Sequence, residues 1–203
     1  MRLRTVFTYL CLLPLGACTR SCNEYDNATE FNNAQLPAYT ETGANTLGCR
    51  LGTQVWTVLG AFEENGGIGN RWYPNSLYNS YRGGFLTLNG RMTGVLNSKE
   101  FYDTRIELYF QPLDTLGGLR LLGDTTFAVT GPGWKEFERI IVSNYLTTKF
   151  YVSDAHRPVR LVVRKHDRQQ RIVSGTFEGY VYEQHGDKDS LNITDGRFDV
   201  HYE

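Results

Sequence analysis

The chain has 203 residues, with 21 lysines and arginines against 22 aspartates and glutamates, giving a formal net charge of −1 at pH 7. This balance argues against the strongly basic surface that nucleic-acid-binding domains carry, so we expect no nucleic-acid partner. The 21 glycines, 13 tyrosines and 11 phenylalanines favour strands and tight turns over helices, in a chain of suitable length for one domain.

A secretory signal is predicted over residues 1–17. A basic start, residues 1–4, precedes an apolar run over residues 6–15 that is shorter than the roughly 20 apolar residues a spanning helix needs. Leu15-Gly16-Ala17-Cys18 then resembles the lipobox of bacterial lipoproteins. The resemblance implies that Cys18 is diacylated, that the signal is removed, and that a fatty acid such as palmitate is added to the new amino terminus.

The predicted location is the cell outer membrane, on its periplasmic or surface face. Thr19 follows Cys18 where lipoproteins kept at the inner membrane often carry aspartate, so the resemblance implies delivery to the outer membrane. Several acyl chains, at about 0.8 kcal/mol for each buried CH₂, would hold a protein on lipid without a spanning helix. The alternative is an ordinary signal peptide that is cut after Ala17 and leaves Cys18 unmodified.

Residues 18–46 are predicted to be a flexible tether, and residues 47–203 a single β domain. The tether is polar and rich in asparagine, which favours turns and coil over regular ladders. Cys22 lies in it and Cys49 lies at an inward strand position, so a Cys22–Cys49 disulfide is allowed in an oxidising compartment. We favour Cys49 as a small buried hydrophobe.

Alternation of apolar and polar residues with period 2 predicts most strands of the β domain. The first is predicted over residues 47–56. Residues 63–69 are predicted to be a loop, and Asn89-Gly90 a hairpin turn or a bulge. Further strands are predicted over 105–113, 119–122, 126–129, 139–152 (two strands, or one bent around Ser143-Asn144), 159–164 and 173–181.

The last strand changes phase. Leu191 and Ile193 are apolar at odd positions, whereas Phe198, Val200 and Tyr202 are apolar at even ones. A regular strand cannot present both sets to one core, so we predict a bulge at Asp195-Gly196, with a tight turn between two strands as the alternative. We expect Gly196 to supply a positive φ there. The fold class is all-β: an antiparallel β-sandwich or partly open β-barrel of about eight to ten strands, with no substantial helix.

Three motifs carry a second resemblance. Leu47-Gly48-Cys49, Ser174-Gly175-Thr176-Phe177-Glu178-Gly179 and Ile193-Thr194-Asp195-Gly196-Arg197-Phe198-Asp199-Val200 are similar to segments of small uncharacterised lipoproteins from Gram-negative gut-type bacteria. That family has no known function. The resemblance therefore implies the β fold and the anchor, and it implies no active site.

The sequence gives little sign of catalysis. Its four histidines lie in separate polar stretches, and no serine stands in the strand-turn-helix motif of a hydrolase nucleophile. No spacing of cysteines or histidines indicates a metal site, and no phosphate-binding glycine motif indicates a nucleotide. We therefore predict no catalytic residue, no metal and no cofactor, and a protein that is not an enzyme.

Aromatic residues are the better functional candidates. Trp72, Tyr73 and Tyr78 follow a glycine-rich stretch, and Trp134 follows Gly131-Pro132-Gly133. Exposed rings on a rigid β scaffold stack on sugars or anchor a protein partner, whereas buried rings at these positions would only cover the ends of the core. We predict a non-enzymatic interaction or glycan-binding domain. The alternatives are a structural or assembly accessory without a ligand pocket, and a hydrolase.

Replacing the proposed anchor tests the predicted location. We expect Cys18→Ala to remove the protein from the membrane fraction without unfolding the β domain, because the lipid contributes nothing to the core. Fractionation of cells followed by immunoblotting measures the distribution. Equal recovery of variant and parent in the membrane fraction would contradict the lipoprotein prediction.

Overall fold

The computed structural model describes residues 26–64, 67–71, 75–79, 85–97, 99–111, 119–123, 138–185 and 189–202, and gives the backbone alone between residues 61 and 85. Within these ranges, one short helix, α1, precedes thirteen strands. The elements are α1 (Ala28–Asn32), β1 (Thr46–Leu51), β2 (Gln54–Thr57), β3 (Ala61–Glu64), β4 (Gly67–Arg71), β5 (Asn75–Asn79), β6 (Phe85–Leu96), β7 (Lys99–Phe110), β8 (Leu119–Leu122), β9 (Arg139–Asn144), β10 (Lys149–Val152), β11 (Val159–Asp167), β12 (Ile172–Glu183) and β13 (Ser190–His201).

The main sheet is antiparallel and curls into a nearly closed barrel, which confirms the predicted fold class. Eight strand positions surround the core in the order β2, β1, β13, β12, β10 with β11, β9 with β8, β7 and β6. β10 and β11 share one position because they pair with different halves of β12. β9 and β8 share the next position because β9 pairs with β10 and β8 pairs with β11. β5 adds to the start of β6, and β3 pairs with β4 in a separate hairpin where the sequence predicted a loop.

The barrel is closed along the edge of β6 that faces away from β7. Leu59, just after β2, forms a bridge to Met92. Its N–H donates to the Arg91 carbonyl over 3.2 Å, and its carbonyl accepts from the Thr93 N–H over 3.0 Å. These two bonds satisfy backbone groups that an open edge would leave exposed.

The barrel interior is a single apolar core, to which every strand of the ring contributes. Period-2 alternation is confirmed over residues 105–110 of β7, 159–164 of β11 and 175–178 of β12, where the inward residues are buried and the outward ones are not. The largest fully buried side chains are Trp56, Phe110, Phe177 and Phe198. Cys49 is a free, fully buried thiol, as we favoured, and burial strongly raises its pKa. Cys22 lies outside the described residues.

Two predictions were wrong: a single strand over residues 47–56, and a turn or bulge at Asn89-Gly90. Residues 47–56 form a hairpin, because Leu51 pairs with Gln54 across the two-residue turn Gly52-Thr53. Gly52 has a φ of 60°, the conformation that a type II′ turn requires of its first central residue. Beyond this turn the alternation restarts, so that Trp56 is buried in place of Val55.

Asn89-Gly90 is neither a turn nor a bulge. Gly90 pairs in register with Ile106 within the continuous strand β6. A Cβ at Gly90 would lie 2.6 Å from Val58 Cγ2 and 3.1 Å from the indole of Trp56. The glycine therefore makes room for the largest side chain of the core.

The predicted bulge in the last strand is confirmed. Gly48 and Arg50 of β1 pair with Arg197 and Thr194, so β13 has one residue more than β1 across this interval. β12 shows the same excess, since its Phe177 and Gly179 pair with Gly196 and Ile193. The extra residue lets side chains on both sides of the bulge face one core.

The role expected of Gly196 was wrong. Asp195 has the positive φ, 53°, whereas the φ of Gly196 is not in the left-handed region. A Cβ on Gly196 would overlap the carbonyl oxygen of Phe177 and lie 2.6 Å from Cδ2 of its ring. Glycine is needed here because two strands approach closely.

The close approach at Gly196 and the positive φ of Asp195 predict different effects of substitution on the free energy of unfolding. We expect Gly196→Ala to lower the free energy of unfolding by about 1–3 kcal/mol, because a single methyl group already overlaps the backbone of β12. Asp195→Gly should change it by less than about 0.5 kcal/mol, because glycine adopts the same φ without strain. Urea melts of the two variants measure this. A Gly196→Ala variant as stable as the parent would refute the close approach.

Candidate functional site

The structure leaves most of the sequence-predicted site residues undescribed. Cys18, Trp72, Tyr73 and Trp134 lie outside the described residues. Tyr78 lies on β5, where its backbone pairs with Leu86, and its side chain is not described. The roles assigned to these residues remain predictions.

The described residues form a different candidate site, a groove of about 500 Å³. It lies on the outer surface of β11, β12 and β13, and one residue of the segment before β1 completes it. Alternation of side chains across these strands predicts exposed residues there, but it does not predict a concave surface. The groove is lined by Tyr39, Arg160, Val162, Arg164, Thr176, Phe177, Glu178, Asp195, Gly196 and Arg197.

Bulges place the charged side chains of the groove. In β11, Val163 pairs with Gly175 and Lys165 pairs with Ser174, so Arg164 is an extra residue opposite no partner. The bulge in β13 likewise makes Asp195 an extra residue, because two residues of β13 lie across from the single residue Glu178 of β12. Bulges bend a strand and redirect its side chains, which gives a sheet surface a concave, charged region.

Both carboxylates in the wall already have arginine partners. Glu178 lies 3.7 Å from Arg160 across the β11–β12 pair, and Asp195 lies 3.2 Å from Arg50 on β1. All four side chains are more than two-fifths exposed, so these pairs add little stability. Their effect is to neutralise the negative charge of the groove.

Two arginines of the groove have no carboxylate partner among the described residues. Arg197 donates to two backbone carbonyls, those of Asp195 over 3.2 Å and Pro37 over 3.3 Å, and within the described part of the chain it has no carboxylate partner. Arg164 is exposed, and it makes no hydrogen bond or ion pair with any other residue that the structure describes. The groove therefore presents two guanidinium groups to a ligand.

Tyr39 forms the aromatic wall. Its hydroxyl donates to Glu41 over 2.6 Å, and the residue remains 41% exposed. Burial, followed by the hydrogen bond to Glu41, raises the pKa of Tyr39 to about 12. The phenol is consequently protonated at any physiological pH, and the bond to Glu41 limits rotation of the ring.

The carboxylate of Asp199 holds residues 40–44, which directly follow Tyr39, on the barrel. Asp199, which is 1% exposed, accepts hydrogen bonds from the Thr40 hydroxyl at 2.6 Å and from the N–H groups of Thr42, Gly43 and Ala44 at 2.8–3.1 Å. Burial alone would raise the pKa of Asp199, but these four bonds outweigh it and lower the pKa. The stabilisation is thus present above the usual aspartate pKa of about 4, and it is lost as the pH falls through the lower, folded value.

Further contacts extend this attachment along the segment. Lys165 donates to the Glu41 carbonyl over 2.9 Å, and Asn45 accepts from the His201 N–H over 2.9 Å. At the start, Asn27 pairs with the edge of β6. Residues 26–45 are therefore packed on the β domain, unlike the flexible tether predicted over residues 18–46. Residues 18–25 lie outside the described residues.

An apolar ledge borders the groove on β8. Leu121 and Leu119 pair with Arg160 and Val162, so they share the outer surface of the sheet with these groove residues. The two leucines are 44% and 50% exposed. The sequence pattern predicts a strand here, but it does not predict that the leucines of this strand lie in solvent.

The described residues give no sign of a metal centre. Among them, no group of three or more histidines, cysteines, aspartates or glutamates could hold an ion. His166 bonds to the Tyr202 hydroxyl over 3.0 Å, and the His201 ring lies 3.2 Å from the Gln170 carbonyl, at positions away from the groove. No helix in the described ranges is long and apolar enough to cross a membrane.

Comparison with known proteins adds no relative. No protein-family model matches the chain, and no similar chain is found among curated proteins or solved structures. The resemblance to small envelope lipoproteins remains a prediction.

The attachment through Asp199 predicts a protease phenotype. We expect Asp199→Asn to increase chymotrypsin cleavage after Tyr39 by at least about tenfold at pH 7.5, because loss of charge-assisted hydrogen bonds worth roughly 1.5–3 kcal/mol populates the detached segment. Asp195→Asn, a neighbour on β13 that does not bond the segment, is the control and should be cleaved like the parent. Mass spectrometry identifies the cut. Equal cleavage of all three proteins would show that Asp199 does not hold the segment.

Proposed function

We propose that the chain is a membrane-anchored lipoprotein of the cell envelope whose β domain binds an acidic glycan in the groove beside Tyr39, without carrying out chemistry on it. The observation that carries the proposal is the pair of guanidinium groups on Arg164 and Arg197, which have no carboxylate partner among the described residues and lie beside a positioned aromatic ring. The anchor rests on the lipobox-like sequence ending at Cys18.

The charges favour a carboxylate-bearing ligand. Guanidinium groups match the planar geometry of carboxylates and bind them through paired hydrogen bonds. Glu178 and Asp195 are already paired with Arg160 and Arg50, so neither competes for the remaining arginines. Their outer oxygens would accept hydrogen bonds from hydroxyl groups.

The aromatic wall favours a sugar as the carrier of the carboxylate. Tyr39 is 41% exposed and its side chain is held by the bond to Glu41, so little side-chain freedom is lost when a flat apolar face packs on the ring. A pyranose ring offers such a face together with hydroxyl groups for Thr176 and Glu178. A uronic acid combines all these features in one residue.

An extended peptide suits the groove less well. Peptides commonly bind β domains by adding a strand at a free sheet edge. Here β12 is paired along both edges, with β13 on one side and with β10 and β11 on the other. A ligand on this surface is recognised by side chains rather than by ladder hydrogen bonds.

A second candidate function, that of an assembly accessory, is favoured by the ledge of Leu119 and Leu121. Exposed leucines beside charged residues are typical of surfaces that contact another protein. In that case the arginines would flank a protein contact, and soluble glycans would not compete for it.

Binding of polygalacturonate oligosaccharides tests the proposal. We expect Arg164→Gln to weaken binding by about 10- to 100-fold, since a charge-assisted hydrogen bond contributes roughly 1.5–3 kcal/mol. Methyl-esterified oligosaccharides, which lack the charge, should bind the parent equally poorly. Isothermal titration calorimetry at constant ionic strength gives both affinities.

The matched control is Arg168→Gln, in the turn between β11 and β12, which removes an exposed arginine outside the groove lining. It should bind like the parent. Equal affinity for the charged and the esterified oligosaccharides, or for Arg164→Gln and the parent, would refute an acidic glycan in this groove.

A further inference from the structure

Exposed apolar side chains gather at one end of the barrel. We call this set the hairpin rim: Leu96, Phe101, Tyr145 and Leu146, which are 47%, 42%, 43% and 47% exposed. Large apolar side chains scattered singly over a surface are ordinary, but a cluster at one end of a domain indicates a contact surface.

Strand register places the rim residues at the same end. Leu96 pairs with Lys99 at the tip of the β6–β7 hairpin, and Phe101 follows two residues later. Tyr145 and Leu146 form the turn from β9 to β10. This turn lies against β7, because Asn144 pairs with Thr104 and the Tyr145 N–H donates to the Asp103 carbonyl over 3.0 Å.

The N-terminal segment is fixed at this same end. The Asn27 N–H donates to the Val95 carbonyl over 3.0 Å, and its side chain accepts from the Val95 N–H over 2.7 Å and donates to the Thr93 carbonyl over 2.8 Å. Asn27 is only 3% exposed. One turn later, the Phe31 ring packs edge-on against Phe101, with 4.9 Å between ring centroids. Asp26 is therefore held beside the tip of the β6–β7 hairpin.

The predicted anchor lies a short distance along the chain from this point. Cys18 precedes Asp26 by eight residues, which span at most about 29 Å when fully extended. The twelve residues of β6 cover about 40 Å of strand from the rim to the opposite end. An anchor this short favours contact of the rim with the lipid over contact of the opposite end.

We propose that the hairpin rim rests on the bilayer, with Leu96 and Leu146 among the lipid headgroups and the groove on the side of the barrel, clear of the membrane. This inference rests on the proposed lipid anchor at Cys18. Glu178 stands five residues before the end of β12, or about 17 Å of strand from the rim end, so the groove stays in water. Lys99 and Glu100 beside Leu96 carry opposite charges, so apolar contact rather than anionic lipid sets the orientation.

Fluorescent labels on the lipidated full-length protein test the orientation. The protein is purified from membranes and reconstituted in vesicles of phosphatidylethanolamine and phosphatidylglycerol. Leu146→Cys and Gln169→Cys are each made with Cys22→Ser and labelled with an environment-sensitive dye, since Cys49 is buried. Gln169, in the turn between β11 and β12 at the opposite end, is the matched control.

We expect shallow spin-labelled lipids to quench the dye at position 146 at least threefold more than at position 169. Equal quenching at both positions in vesicle-bound protein would overturn the rim contact while leaving the anchor intact. Protein that does not remain with the vesicles would instead overturn the anchor. A dye at position 146 that is shielded in native membranes but not in the reconstituted vesicles, which contain no other protein, would show that a protein partner covers the hairpin rim. That result would also overturn the proposal.

Discussion

Asp199 accepts four hydrogen bonds from residues 40–44, and the groove depends on them. They fix the backbone that positions Tyr39, and they bring Pro37 within reach of Arg197. A buried carboxylate without such partners would destabilise the fold, so the attachment satisfies the side chain as well as the segment. The candidate binding site is therefore built jointly by the barrel and by a segment that lies before its first strand.

Backbone hydrogen bonds along the edge of β6 that faces away from β7 bring the ends of the sheet together. The successive backbone groups of this edge are met by β5, by Leu59 and by Asn27, which come from three different parts of the chain. An unpaired edge of this length would invite association with another strand. Asn27 also fixes where the N-terminal segment meets the barrel, so that with the proposed anchor at Cys18 one contact would serve closure and orientation together.

Local pattern predicted the antiparallel β fold, the core faces of β7, β11 and β12, and the bulge at Asp195-Gly196. These succeed because burial on one face forces period 2, and a change of phase then has few solutions. The Gly52-Thr53 turn was missed because Val55 continued the alternation by coincidence. The groove was not predicted, because the Asp199 contacts join residues more than 150 positions apart and Arg164 is placed by a register shift. Such pairings leave no periodic signal.

The central claim is that residues 40–44 belong to the folded domain and thereby hold Tyr39 as one side of the candidate groove. Amide hydrogen exchange of the full-length protein, followed residue by residue, tests it most directly. The N–H groups of Thr42, Gly43 and Ala44 should exchange at least about a hundredfold more slowly than an unstructured chain at pH 7. Exchange of these three amides at the rate of an unstructured peptide would contradict the account, because the segment would then be detached and the groove would lack its aromatic wall.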